Sequence, residues 1–458
     1  MSTQGSDLSR RMFIGTALAT GAIAASCGKS KPAMVSQPKS SNASITNLHK
    51  TAPDGAMIKA GLIGCGGRGR GAALNFLNSG PSLRITALAD VFQDRVDEAV
   101  KQVTDKSKGG QDTPPENQFV GFDAYKKVID SGVDVLLIAT PPHFRPEHFA
   151  AAVAANKHVF MEKPVAVDPV GAKSIIESAG QARTKNLTVV TGTQRHHQDK
   201  YVETLKQVAN GAIGDIVAAR CYWNQNQLWY RERQPGWSDM EWMIRDWVNW
   251  TWLSGDHIVE QHVHNIDVIN WFTGKLPVKA VGFGGRARRV TGDQFDYFSI
   301  DFEYEDGMHT HSMCRQVNGC ANNVSEFIVG TKGSTNCADT IYNLDGSVKW
   351  KCIEIESGQA KEPAPYEVTY LEDVRSPYDQ EHVDFVTSVR TGEPLNEARL
   401  TAESTMCAIM GRISAYTGRE TTWKEMMDSD LRLGPTEYAM GKMDTNPVIP
   451  VPGEDKKA

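Results

Sequence analysis

The hexapeptide Gly64-Cys65-Gly66-Gly67-Arg68-Gly69 follows directly on the apolar run Ile58-Lys59-Ala60-Gly61-Leu62-Ile63. A strand that runs into G-x-G-x-x-G and then a helix is a phosphate cradle. Gly64 permits the tight turn, Gly66 lets backbone amides approach a pyrophosphate, and Gly69 lets the helix from Gly71 to Leu77 pack on the sheet. The helix N-terminus contributes its dipole and free N–H groups. The next apolar run, Leu83 to Ala89, ends on Asp90. A carboxylate there bonds both hydroxyls of an adenosine ribose and repels a 2′-phosphate, which favours NAD. Arg68 and Arg95 are placed to offset that repulsion, so NADP stays open.

A second set of residues suits proton transfer. In Glu260-Gln261-His262-Val263-His264 the spacing puts Glu260 and His264 one turn apart on a helical face, with Asp267 further along the same side. An imidazole that titrates near pH 6.5 is a good general base. His264 is therefore a candidate general base and Glu260 a candidate to orient it or a substrate. His257 shares that face, His262 is close, and His309 and His311 alternate along a strand. The pattern is not H-E-x-x-H, and no metal is expected. Glu162-Lys163-Pro164 follows the apolar strand from His158 to Met161, at the sheet edge where doubly wound folds place ligands.

Seven of the ten Trp lie between Trp223 and Trp252, interleaved with amides and arginines. Indoles stack on sugar faces while amides and guanidinium groups bond hydroxyls; the alternative is that they fill a core or a subunit interface. Trp247, Trp250 and Trp252 read as structural. Trp229 and Trp237, in a Pro- and Gly-interrupted loop, are candidates for a substrate wall. Gln194, Arg195 and His196 are expected to line the cleft where two domains meet.

These residues need a scaffold of α/β type. From Ile58 to Thr191, strands alternate with helices in the rhythm of a doubly wound parallel sheet. Past Gly214 the rhythm changes: strands are expected at Ile216–Tyr222, Val278–Gly284, Asp296–Tyr304, Met308–Arg315 and Asn323–Val329, with a hairpin at Asp306-Gly307. This predicts a second, α+β domain built on a large, mostly antiparallel open sheet. Helices from Tyr378 to Val389 and Thr401 to Thr417 close it. The division expected is a leader at 1–27, a linker at 28–56, a nucleotide-binding domain at 57–185, a substrate and oligomerisation domain at 186–425 and an extension at 426–458.

Ser9-Arg10-Arg11-Met12-Phe13-Ile14 resembles a twin-arginine export signal, and the apolar stretch after it is too short to span a membrane. Ala24-Ala25-Ser26-Cys27 resembles a lipoprotein cleavage box, so a lipid anchor at Cys27 and simple cleavage both stand as expectations. Either places the protein in the periplasm or at the cell envelope. A formal net charge of −6 without a basic block argues against a nucleic-acid partner. The eight Cys contain no C-x-x-C and read as buried free thiols, although an exported protein can also form disulfides.

The glycine loop, Ala89-Asp90, Ala139-Thr140-Pro141-Pro142, Glu162-Lys163-Pro164, Gly211-Ala212-Ile213-Gly214-Asp215-Ile216 and His264-Asn265-Ile266-Asp267 occur in the order found in one family. From Met57 to about Gly418 the chain resembles the Gfo/Idh/MocA oxidoreductases, which include glucose–fructose oxidoreductase and inositol dehydrogenase. The resemblance implies that Lys163 is the catalytic lysine, beside the nicotinamide, with His264 and Glu260 as its partners; the family usually has Asp where this chain has Glu260. It implies cofactor contacts from Gly64, Gly66, Gly67, Arg68, Gly69, Asp90, Thr140, Pro141, His143, Glu162 and Lys163. Substrate contacts are expected from Arg195, His196, Trp229, Trp237 and Asp267. It also implies a dimer or tetramer. The expected activity is hydride transfer between a tightly held NAD and a sugar, glycoside or cyclic polyol. An NAD-dependent glycoside hydrolase and a non-catalytic sugar-binding relative are the alternatives.

Overall fold

Six short strands, nearly all of them apolar, form one parallel sheet in the computed structural model, which describes residues 47–106, 113–446 and 448–454. They are β1 (Ile58–Ile63), β2 (Leu83–Asp90), β3 (Gln118–Val120), β4 (Val135–Ile138), β5 (His158–Met161) and β6 (Val189–Thr191). Their order is β3-β2-β1-β4-β5-β6. The order reverses between β1 and β4, and ligands in such sheets bind outside the strand ends at that point. Every residue of β4 is buried, as expected of a strand covered on both faces.

The cover comes partly from far along the chain. On one face, Phe76, Val96 and Val103 pack with Val383, Phe385 and Val386 of the helix Pro377–Thr391. On the other, Tyr125, Phe149 and Ile175 pack with Ala398 and Ala402 of the helix Ala398–Thr417. The parallel sheet also takes in β6. The first lobe is therefore not contiguous in sequence and does not end at residue 185, because both late helices return to seal it.

The second lobe is built on ten strands. They are β7 (Ile216–Gln225), β8 (Lys279–Gly285), β9 (Tyr297–Glu303), β10 (His309–Gln316), β11 (Asn323–Gly330), β12 (Gly333–Thr335), β13 (Thr340–Tyr342), β14 (Val348–Ile355), β15 (Glu367–Glu372) and β16 (Thr421–Thr422). The order is β15-β14-β13-β12-β11-β7-β10-β9-β8-β16. Pairing is antiparallel except between β7 and β10 and between β14 and β15. Gly307 turns the β9–β10 hairpin at φ +83°. One face packs on Ile266, Ile269 and Met410 from two helices, and the other leaves Val281 and Phe283 exposed.

Among the described cysteines, Cys65, Cys221, Cys314, Cys337, Cys352 and Cys407 are buried free thiols and Cys320 is exposed. No described helix is long and apolar enough to cross a membrane. The arginine pair, Cys27 and residues 28–46 of the expected linker lie outside the described residues.

Candidate active site

The strand end at Ile63 opens onto the glycine loop. Gly64 adopts φ +97°, and a Cβ there would stand 2.7 Å from the carbonyl carbon of Ala139. At Gly69 a Cβ would stand 1.8 Å from the Gly64 carbonyl oxygen, so the helix can pack this closely only on glycine. At Gly66 and Gly67 an added Cβ would meet nothing within 4 Å: these two face open space. The helix Gly67–Asn78 has no side-chain cap and no acidic residue in its first turn. Its positive end is therefore left to an anion.

Asp90, at the end of β2, is held from both sides. Its Oδ2 accepts from the Cys65 amide at 2.7 Å and its Oδ1 from the Phe92 amide at 3.1 Å. Burial pushes its carboxyl above the ordinary range, while these amides and Arg95 pull it back. Gly64, Gly66, Asp90, Thr140 and Pro141 line one cleft of about 920 Å³ that opens to solvent.

At the end of β5 the chain turns through Glu162, Lys163 and Pro164. Buried Arg145 clamps this turn. Its guanidinium donates to the carbonyls of Thr140 at 2.8 Å, Glu162 at 2.9 Å and Pro164 at 2.6 Å. One side chain thus ties the β4 exit to the β5 exit. Burial lowers its pKa to about 10, with Glu162 and Glu260 acting against that. Sequence reasoning missed Arg145; its one signal was a charged residue directly after Pro142-His143-Phe144, where a helix begins.

Lys163 reaches across to the second lobe. Its Nζ donates to the main-chain carbonyl of Glu260 and lies 3.2 Å from Glu260 Oε1. Both side chains are about nine-tenths buried. The helix carrying Glu260 is His257–Glu260, and a new one starts at Val263, so Glu260 and His264 do not share one continuous helix. His264 packs instead against Trp223. Burial, then the charges of Lys163 and Arg195, hold the His264 imidazole well below the usual histidine range. The ring is neutral near pH 7, and in this state it is a weaker base than an imidazole titrating near pH 6.5.

Residues 58–191 match the family model described as an oxidoreductase family with an NAD-binding Rossmann fold, and residues 201–336 match the C-terminal domain of the same family. The chain belongs to the Gfo/Idh/MocA oxidoreductases. A glycosyl hydrolase family 109 protein of Streptomyces coelicolor is 26% identical over 46% of this chain and 43% of its own length. An inositol 2-dehydrogenase/D-chiro-inositol 3-dehydrogenase of Halalkalibacterium halodurans is 28% identical over 47% of this chain and 52% of its own. The match thus spans about half the length of these relatives. The fold is shared with scyllo-inositol dehydrogenase of Lactobacillus casei, solved with NAD(H) and scyllo-inositol. The TM-score is 0.57 at 20% identity, covering 80% of this chain and 99% of that one.

The first lobe of this family member fits NAD. The uncapped helix end beside Gly66 and Gly67 suits the pyrophosphate, and the Asp90 carboxylate suits the adenosine ribose. Arg68 is turned away from that end. Its Nε pairs with Glu162, its second nitrogen reaches Glu381 at 2.8 Å, and it lies 4.9 Å over the Tyr378 ring. Arg68 and Glu162 therefore neutralise each other beneath the loop, and Arg68 is not free to take a 2′-phosphate.

Three other expectations also change. His143 turns from the cleft to bond the Tyr438 hydroxyl at 2.8 Å, against Trp252 and the backbone of Gly434. His196 and Asp267 bond each other at 2.6 Å, nearly fully buried, with His196 stacked on Trp271. Asp267 Oδ1 is left buried without a partner among the described residues. Trp229 lines the cleft that also contains Asp90, at the adenosine end, and Trp237 packs on Arg245. Arg195 stays close to the site, paired with Glu326 at 2.7 Å and 5.8 Å from the Trp223 ring. His257 pairs with Asp256, and His262 with Ser312.

Proposed function

We propose that this protein is an exported NAD-dependent oxidoreductase. It moves a hydride between a retained nicotinamide cofactor and a carbon bearing a hydroxyl group on a sugar, glycoside or cyclic polyol. One observation carries the reading: Lys163 of the NAD-binding lobe and Glu260 of the second lobe meet beside a neutral His264. The helix end at Gly66 and Gly67 and the Asp90 carboxylate would hold NAD, which would supply the hydride acceptor and donor. His264 accepts the hydroxyl proton. Lys163 donates a hydrogen bond to the same oxygen and Glu260 holds Lys163 in place. Arg145 fixes the turn from which Lys163 projects.

Export rests on the arginine pair and the apolar stretch behind it. Twin-arginine transport carries folded proteins, so the nucleotide travels with the chain and is recycled in place by paired half-reactions. Cys27 offers a lipid anchor, and the open face of the ten-stranded sheet offers a surface for dimers or tetramers.

The glycosyl hydrolase relative supports a second reading, in which bound NAD would take and later return the ring hydride while the same residues move the protons of aglycone elimination and water addition. Incubating the NAD-loaded protein with cyclic polyols, free sugars and nitrophenyl glycosides separates the two. A rise in bound NADH without cleavage supports the oxidoreductase. Released nitrophenol supports the hydrolase. Neither signal from any compound overturns both and leaves a sugar-binding protein.

A further inference from the structure

We propose that the second lobe closes the adenosine end of the cofactor site. Trp229 and Arg231 form a wall facing Asp90, and this wall keeps the nucleotide from dissociating between turnovers. The inference rests on the retained-NAD reading above and names the residues that do the retaining.

The cleft containing Asp90, Phe92 and Arg95 is also lined by Trp229, Arg231 and Trp247. The segment carrying Trp229 has no regular secondary structure between Leu228 and Gln234, yet it is firmly tied down. The Arg231 amide donates to Asp246 at 2.6 Å, and the Trp242 indole donates to the Arg231 carbonyl at 2.8 Å. Asn249 donates to the Trp229 carbonyl at 3.3 Å. Trp229 stands edge-on to Trp247 with centroids 6.1 Å apart, and Arg231 lies 5.4 Å over its ring. Even so, 45% of Trp229 is exposed. A fixed indole with a bare face at the mouth of a dinucleotide cleft is a stacking surface that loses little freedom when a flat base covers it.

The wall cannot swing away freely, because the lobes are fastened behind it. Arg245 lies 3.8 Å over the Phe92 ring and bonds both oxygens of Asp94, at 3.0 and 2.9 Å. Phe92 and Phe144 of the first lobe are buried with Met240, Met243, Trp250 and Trp252 of the second. Leu433, Tyr438 and Met443 of the C-terminal extension pack on this cluster. The extension is pinned to both lobes, with the Leu433 amide on Asp168 at 2.8 Å and the Met443 amide on Asp239 at 3.1 Å. It lies outside both matched family spans.

The test compares wild type with Trp229→Ala, Arg231→Ala and Trp229→Phe, each saturated with NAD for counting or with NADH for release, and then desalted. Nucleotide per chain is counted by native mass spectrometry, and NADH release is timed by loss of energy transfer from tryptophan after dilution into excess NAD. Wild type is expected to keep its nucleotide. Trp229→Ala is expected to release it about tenfold faster or more, with Arg231→Ala intermediate and Trp229→Phe close to wild type. Thermal midpoints of the nucleotide-free proteins are expected to stay unchanged, since Trp229 is half exposed. Equal release rates for wild type, Trp229→Ala and Arg231→Ala overturn the wall while leaving the oxidoreductase reading intact. A wild-type chain that takes up no NAD overturns both.

Discussion

Trp223 lies nearly parallel to the His264 imidazole, with ring centroids 5.6 Å apart and an interplanar angle of 23°. The indole therefore shuts one face of the base from water and fixes the ring plane. Its own Nε1 is buried without a hydrogen-bond partner among the described residues. Trp223→Ala should lower kcat by about 10- to 100-fold through lost orientation, and Trp223→Phe by less. Water entering beside His264 weakens the burial that depresses it. The acid limb of the kcat profile should move up toward pH 6.5 in Trp223→Ala, which pH-dependent kinetics will show.

Glu260→Gln keeps the shape of the side chain but removes the charge next to Lys163. The amide can still accept a hydrogen bond, so the fold should hold. Turnover should drop by about 10- to 100-fold as Lys163 loses its anchor. Steady-state kinetics together with bound-nucleotide content will check this, and NAD content should not change.

Arg145→Met leaves the carbonyls of Thr140, Glu162 and Pro164 without their buried donor. Removing a buried cation that satisfies several groups should destabilise the fold by about 3–5 kcal/mol. Denaturant midpoints measure the loss. Arg145→Lys should recover part of it, since an ammonium cannot span three carbonyls as a planar fork does.

Acid should weaken the fold from about pH 6.5 downward. Burial lowers His143 to about 4 and His148, His262 and His382 to about 3, and it holds His264 well below 6.5. The unfolded chain takes up these protons near pH 6.5 and the folded one does not. Each such group therefore removes up to about 1.4 kcal/mol per pH unit as pH falls below 6.5 toward its folded value. His197 acts in the opposite sense. Burial lowers it, but Glu397 and Asp384 raise it well above 6.5, so its contribution is present below that pH and fades as pH climbs through the raised value. Urea midpoints should fall steadily between about pH 6.5 and pH 4.

The parts legible in the sequence were those with local signals. The glycine loop, Asp90 and the turn after β5 announce themselves by strand, loop and helix spacing, and β7 to β11 by their length and apolar pattern. β12 and β13 were not read, because strands of three residues, Gly333–Thr335 and Thr340–Tyr342, carry too few for a period to show; β14 and β15 are longer and were missed because charged residues interrupt their apolar pattern. The lobe boundary was misplaced because the helices that seal the first sheet lie more than a hundred residues after it in the chain. Polar partners were harder still. His196 with Asp267 and Arg68 with Glu162 are far apart in sequence, so only the fold shows that they pair. Trp229 was expected to form a substrate wall, and the fold has it lining the cleft that Asp90 also lines.

Lys163 and His264 are proposed to act on one hydroxyl beside a bound nicotinamide. Rapid mixing of the NAD-loaded protein with a panel of cyclic polyols and sugars, followed by NADH absorbance in a single turnover, tests it most directly. The account predicts a rise in wild type that is lost in Lys163→Met and in His264→Ala while both variants keep their NAD. A rise of the same rate and size in either variant would contradict it.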